Sequence, residues 1–227
     1  MKKTCAGAFT VAGLVCTLAL FPAFSANAAT VVAHWAMDEA KGATTMVDSS
    51  GHGLTGAISS KVLVGQPGHS GRAYGFAGDG GLVTVRDNDL LDPGRNSFEV
   101  ELYFNSSTRP TSAVGDYDLI RKGLSSTSGG DWKMEILQSG KVFCHFRGSS
   151  GSVNATGTSN VVDGKWHRLG CRTSSSGVAV LVNGSVQAKS ARIPGSIANS
   201  ASLTIGAKNA TADQTTGVLD DIVITKG

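Results

Sequence analysis

The chain has 227 residues, 41% of them hydrophobic and 16% charged, with 20 Lys+Arg against 17 Asp+Glu and 30 glycines. That length and apolar fraction suffice for a sizeable core and exclude a disordered chain. Few Ala/Glu/Lys/Leu runs stand beside abundant Gly, Ser, Thr and Val, which excludes a helical bundle or coiled coil.

The first element is an address rather than a fold. Lys2 and Lys3 precede an uncharged apolar stretch from Thr4 to Phe24, which ends in Ser25-Ala26-Asn27-Ala28-Ala29. A positive start, an apolar middle and small residues at a cleavage position read as a secretory signal peptide over residues 1–28. Gly13 and Pro22 interrupt the stretch and weigh against an uncleaved anchor, and Val15 before Cys16 weighs against a lipoprotein site. The expectation is a secreted, extracellular chain in which residues 29–227 form a single domain with no transmembrane segment. Cleavage leaves 18 basic against 17 acidic groups and no Lys/Arg run, so nucleic acid is excluded as a partner.

From Val31 on, apolar residues recur at every second position in short runs bounded by Gly, Ser, Asn and Asp. In chain order, strands are expected over 31–38, 73–78, 81–85, 98–104, 117–122, 131–137, 142–147, 169–171, 178–182, 202–207 and 217–225. Phe98, Val100, Leu102 and Phe104 alternate with Glu99, Glu101 and Tyr103. Val142, Cys144 and Phe146 alternate with Phe143, His145 and Arg147. This is the pattern of half-buried antiparallel strands. Asn183-Gly184 between Val182 and Val186 is a two-residue hairpin signal, because both residues tolerate positive φ. Short strands at even spacing without crossover helices imply an all-β fold, a two-sheet antiparallel jelly-roll sandwich.

Cys5 and Cys16 leave with the signal, and Cys144 and Cys171 remain. In a secreted chain the pair is expected to form a disulfide. Each shares a strand face with apolar neighbours. If the two strands are adjacent, both sulfurs point into the core at bridging distance.

The order of several short motifs carries a resemblance. Trp35-Ala36-Met37-Asp38-Glu39 is followed by Asp48-Ser49-Ser50-Gly51-His52-Gly53 and Gly71-Arg72-Ala73-Tyr74-Gly75-Phe76. Asp163-Gly164-Lys165-Trp166-His167, Val182-Asn183-Gly184 and Gly217-Val218-Leu219-Asp220-Asp221-Ile222 complete the series. Together they resemble a laminin-G-like domain of the concanavalin A-like lectin/glucanase superfamily. The cysteine pair looks like the variant of secreted actinobacterial members. The resemblance implies a jelly roll that binds glycans or proteins and often holds a structural calcium ion. It also places Trp35 and Trp166 in the core.

Four groups of residues are candidates for chemistry. Asp220, counted by twos, shares a face with Val218, Ile222 and Ile224, where a carboxylate must be paired, capped by a turn or metal-bound. With Asp38 at the end of the first strand, it is the candidate calcium site that the resemblance supports. Glu99 and Glu101 share a strand face at a spacing open to paired glycosidase carboxylates, but Tyr103 stands where a third would complete the superfamily's E-x-D-x-E pattern. Trp132, Arg121, His145 and Arg147 lie on middle strands and are candidates for stacking on and hydrogen bonding to a sugar. No G-x-S-x-G or H-E-x-x-H motif is present. The expected function is a secreted, non-catalytic binding protein for an extracellular glycan or protein. A polysaccharide hydrolase or lyase using Glu99 and Glu101, and a structural cell-envelope protein, remain as alternatives.

Overall fold

The structure is a computed structural model that describes residues 29–113 and 115–227, so the expected signal segment 1–28 lies outside the described residues. Its first elements are β1 (Thr30–Trp35), β2 (Thr45–Met46), β3 (Gly56–Ile58), β4 (Leu63–Pro67), β5 (Arg72–Ala77) and β6 (Val83–Val85). A 3-10 turn at Asp89–Leu91 leads to β7 (Phe98–Asn105), β8 (Tyr117–Lys122), β9 (Asp131–Ile136), β10 (Val142–Gly148) and β11 (Gly151–Thr156). The chain ends with β12 (His167–Ser174), β13 (Gly177–Val182), β14 (Ser185–Ser190), β15 (Leu203–Ile205), β16 (Ala207–Asn209), β17 (Ala212–Gln214) and β18 (Thr216–Lys226).

These strands form two antiparallel sheets and one hairpin. Sheet I runs β14-β13-β12-β7-β18-β5-β4, with β1 also on β18. Sheet II runs β11-β10-β9-β8-β15-β6-β3-β2, and β16 pairs with β17 beside it. The 11 residues of β18 give one side to β7 and divide the other between β5 and β1. The first and last strands are therefore neighbours. Asn183 (φ 52) and Gly184 (φ 78) both sit in the left-handed region of the β13–β14 turn, which matches the right-handed twist of the flanking strands.

Alternation builds the core. Phe98, Val100, Leu102 and Phe104 of β7 turn inward, as do Trp132, Met134 and Ile136 of β9 and Val142, Cys144 and Phe146 of β10. The Phe98 and Trp132 rings meet at 5.2 Å. Each such side chain contributes about 1.5–3 kcal/mol by leaving water. Trp35 is fully buried and donates its indole N–H to the Leu54 carbonyl at 2.7 Å.

The Cys144–Cys171 disulfide is present, with Cα atoms 5.5 Å apart. Its placement corrects the expectation of adjacent strands. Cys144 is on β10 of sheet II and Cys171 on β12 of sheet I, so the bridge crosses the core from sheet to sheet. Both sulfurs do face inward, because inward positions of the two packed layers look at each other.

A second correction concerns β18. A register shift between Asp220 and Val223, with Asp221 at φ 49, breaks the count by twos. Asp220 pairs with Tyr103 and Ile224 with Val100. Asp220 thus lies on the outer face of sheet I with Tyr103, whereas Ile224 lies in the core, because a β-bulge resets which face each residue takes. Trp166 is also displaced from its expected place. It is half-buried outside the core, its ring edge-on to exposed His69 at 6.1 Å.

Candidate functional site

The outer face of sheet II gathers polar side chains at the odd positions of its middle strands. β9 contributes Asp131, Lys133 and Glu135, and β10 contributes Phe143, His145 and Arg147. The pairing places Arg147 opposite Asp131, His145 opposite Lys133, and Phe143 opposite Glu135. β8 adds Arg121 opposite Lys133 and Asp118 opposite Glu135. Residues from this face, from loop 124–126 and from β16 enclose an open cleft of about 440 Å³.

Three of the four ligand-contact candidates read from sequence meet here. Arg121 and His145 line the cleft, and Arg147 does not line it but bonds Asp131 and Leu124, which do. Their donors are largely committed within the protein. Arg147 donates Nε to Asp131 Oδ1 at 2.6 Å and its Nη2 to the Leu124 and Thr127 carbonyls at 2.9 Å, pinning the loop above β9. His145 pairs with Asn154 Oδ1 at 2.7 Å through Nδ1 and with Asp131 Oδ2 at 3.2 Å through Nε2. Buried Arg121 donates to the Gly123 carbonyl at 3.0 Å and to Asp118. Burial acts to raise the Asp131 carboxyl, but the hydrogen bonds and charges of His145 and Arg147 prevail and hold it below its ordinary value. The floor of the cleft is therefore rigid.

Trp132 does not belong to this site. It occupies an even position of β9, is fully buried, and donates its indole N–H to the Leu91 carbonyl at 3.0 Å. It cannot stack on a ligand, because alternation turns it to the core. The aromatic that does face the cleft is half-buried Phe143, with the Lys133 ammonium 5.9 Å from its ring centre. Its signal was present in the alternation, since Phe143 shares the odd face of β10 with His145 and Arg147. Lys133, Asp131 and Lys208 also line the cleft. Lys208 comes from the β16–β17 hairpin, which carried no strong strand pattern.

Glu99 and Glu101 lie on the outer face of sheet I and are each claimed by an arginine. Arg172 grips Glu99 through two bonds of 2.8 and 3.1 Å, and Arg168 pairs with Glu101. Both carboxylates of this ladder are thus engaged in ion pairs across the β7–β12 strand pair.

Asp38 and Asp220 converge on the loop before β5. Asp38 Oδ1 accepts the Arg72 N–H at 2.6 Å, and Asp220 Oδ2 accepts the Ser70 N–H at 3.0 Å. Turn capping is thus one role of both carboxylates. Asp220 Oδ1 is buried with no partner. Burial raises the Asp220 carboxyl, against the hydrogen bonds from Ser70 and His69, and the charges of Asp221 and Asp38 push the same way. Asp221, next in the bulge, is itself paired with His34 at 2.7 Å, and the carboxylates of Asp38, Asp220 and Asp221 do not close into a three-acid cluster. The same loop carries His69, stacked on Tyr103 at 3.7 Å.

Comparison with known proteins follows the architecture. Residues 76–227 match the Laminin_G_3 family, described as the concanavalin A-like lectin/glucanases superfamily. The chain belongs to this family. Among solved structures, it is similar to domain 4 of AbnA, a GH43 extracellular arabinanase from Geobacillus stearothermophilus, solved in complex with arabinotriose. The TM-score is 0.64 at 18% identity, over 88% of this chain and 93% of that one. It is also similar to the binding domain of Paraclostridial Mosquitocidal Protein 1, with a TM-score of 0.68 at 15% identity, over 86% of this chain and 48% of that one. The receptor binding domain of botulinum neurotoxin D gives a TM-score of 0.63 at 14% identity, over 86% and 48% of the two chains. The chain thus spans about half the length of these toxin chains, and identities this low reflect shared fold alone. No curated protein matches the chain in sequence. No helix among the described residues is long and apolar enough to cross a membrane.

Proposed function

We propose that this chain is a secreted, non-catalytic glycan-binding module whose ligand lies in the cleft on the outer face of sheet II. The observation that carries this is the half-exposed Phe143 ring, set on a rigid polar floor of Asp131, His145 and Lys133. An aromatic face stacks on the apolar face of a sugar, and fixed polar groups beside it orient the hydroxyls. The arabinotriose complex of the similar arabinanase domain supports an oligosaccharide as the ligand class. The signal-like segment 1–28 supports export. A protein ligand remains the second reading, supported by the receptor-binding toxin domains. The Arg–Glu ladder argues against hydrolysis at Glu99 and Glu101.

A glycan array followed by calorimetry on the best ligand tests this. Phe143→Ala is expected to weaken binding by roughly tenfold, the equivalent of about 1.4 kcal/mol. An array without hits, or a Phe143→Ala variant that binds as the parent does, would refute it.

The calcium suggested by family resemblance would be held by Asp38 and Asp220, where it would tie β1 and β18 to the loop before β5. Its removal by chelator is expected to lower the melting temperature of the parent, and Asp220→Asn to reduce that response.

A further inference from the structure

The outer face of sheet II holds a second feature that the glycan-binding reading does not use. Asp118 of β8 and Glu135 of β9 are register partners, and Asp213 of β17 comes down on them from the hairpin. One carboxylate oxygen from each of the three lies within 4.8 Å of the others. Asp118 and Glu135 are buried, and Asp213 is half-buried at the mouth.

We propose that Asp118, Glu135 and Asp213 form a binding site for one divalent cation of the calcium type, beneath the β16–β17 hairpin and distinct from the Asp38/Asp220 region. Convergent acids alone would not carry this. The independent observation is Asp118 Oδ1, a fully buried carboxylate oxygen without a hydrogen-bond partner. Leaving a carboxylate oxygen desolvated and unpaired is costly, and a bound cation is the partner that such a position lacks.

The other charges are arranged so that a cation can be admitted. Asp118 uses Oδ2 for Arg121, Glu135 uses Oε1 for Lys133, and Asp213 uses Oδ2 for Lys208 at 3.2 Å. Each acid therefore spends one oxygen on a base and keeps the other. Three bases balance three acids, and neighbouring Asp116 feels the field of the cluster. Burial raises its carboxyl, and the charges of Glu135 and Asp213 add to that. Lys133 and Lys208 reach the solvent of the cleft and can keep their hydration.

Chemistry chooses the class of ion. Carboxylates are hard oxygen donors, and calcium takes about six to eight such oxygens in flexible geometry, whereas magnesium dehydrates reluctantly and keeps much of its water. An all-oxygen set without Cys or His disfavours zinc and copper. The backbone is shaped for the approach, since Gly115 (φ 78) has no Cβ where one would collide with Asp213 Oδ1.

The test is calorimetric titration of the chelator-stripped chain with calcium chloride, paired with melting temperatures. Asp213→Asn suits it, because Asp213 adopts φ 50 and asparagine tolerates that conformation. The expected result is loss of one binding event, or weakening on the order of tenfold or more, with a smaller calcium-dependent rise in melting temperature. Glu135→Gln should do the same, while Asp220→Asn should leave this event intact. An Asp213→Asn chain that titrates as the parent does, or a parent without calcium binding, would overturn the proposal. Neither result bears on the glycan cleft, which is read separately through Phe143.

Discussion

The outer faces of the two sheets start from the same alternation and arrive at different physics. On sheet I, Glu99 and Glu101 meet Arg172 and Arg168 across strand pairs, and Arg168 remains about half exposed. On sheet II, Asp118 and Arg121 form an ion pair beside Glu135, all three buried. What differs is cover. The β16–β17 hairpin and the loop tied down by Arg147 remove water from the middle strands of sheet II. A pair of charges that is nearly neutral in water becomes costly to break once it is dry.

That contrast sets the order of expected effects. Arg121→Leu should destabilise most, by about 3–5 kcal/mol at neutral pH, because it leaves Asp118 buried without its counter-charge. Denaturant unfolding of this variant beside Arg168→Gln is the sharpest comparison, and equal losses would break it. Next comes the tie between the sheets. Reduction of Cys144–Cys171, which closes 27 residues of chain, should cost about 3 kcal/mol, read as a shift of the denaturation midpoint with reductant.

Asp131→Asn should follow, at about 1–3 kcal/mol, since it removes the shared charged acceptor of Arg147 and His145. This effect has a pH signature. The Asp131 carboxyl titrates in the fold below its ordinary 3.8, so its stabilisation is present above that value and is lost as pH falls through the folded value. The Asn variant should therefore lose less stability than the parent on acidification below pH 3.8, as measured by melting temperature. The smallest effect belongs to sheet I, where Arg168→Gln should cost less than about 1 kcal/mol and fade further in salt.

Legibility followed the range of the interaction. Strands with strong alternation, such as β7 and β10, could be drawn from the sequence, as could the Asn183-Gly184 turn. Short strands such as β2, β16 and β17 carry too few residues to show a period. Arg121 and His145 were legible as outward residues of middle strands, because alternation and chain position suffice for that. Trp132 was misplaced because Asp131-Trp132-Lys133 offers two possible faces until the neighbouring register is known. Lys122 shows the opposite failure. It points inward beside Trp132 and is satisfied by Asp87 and Asp92, each at 2.7 Å, partners more than 25 residues away in the chain.

The sequence by itself determined a two-layer sandwich, an inward cysteine pair and the identity of most core residues, because period-two patterning and turn chemistry are local. Only the tertiary structure decided that the disulfide spans the layers, that a bulge turns Asp220 outward, and that Asp213 descends on Asp118 and Glu135. Those outcomes depend on register, bulges and overlying loops. Their energies come from groups distant in the chain, and no short window of residues encodes them.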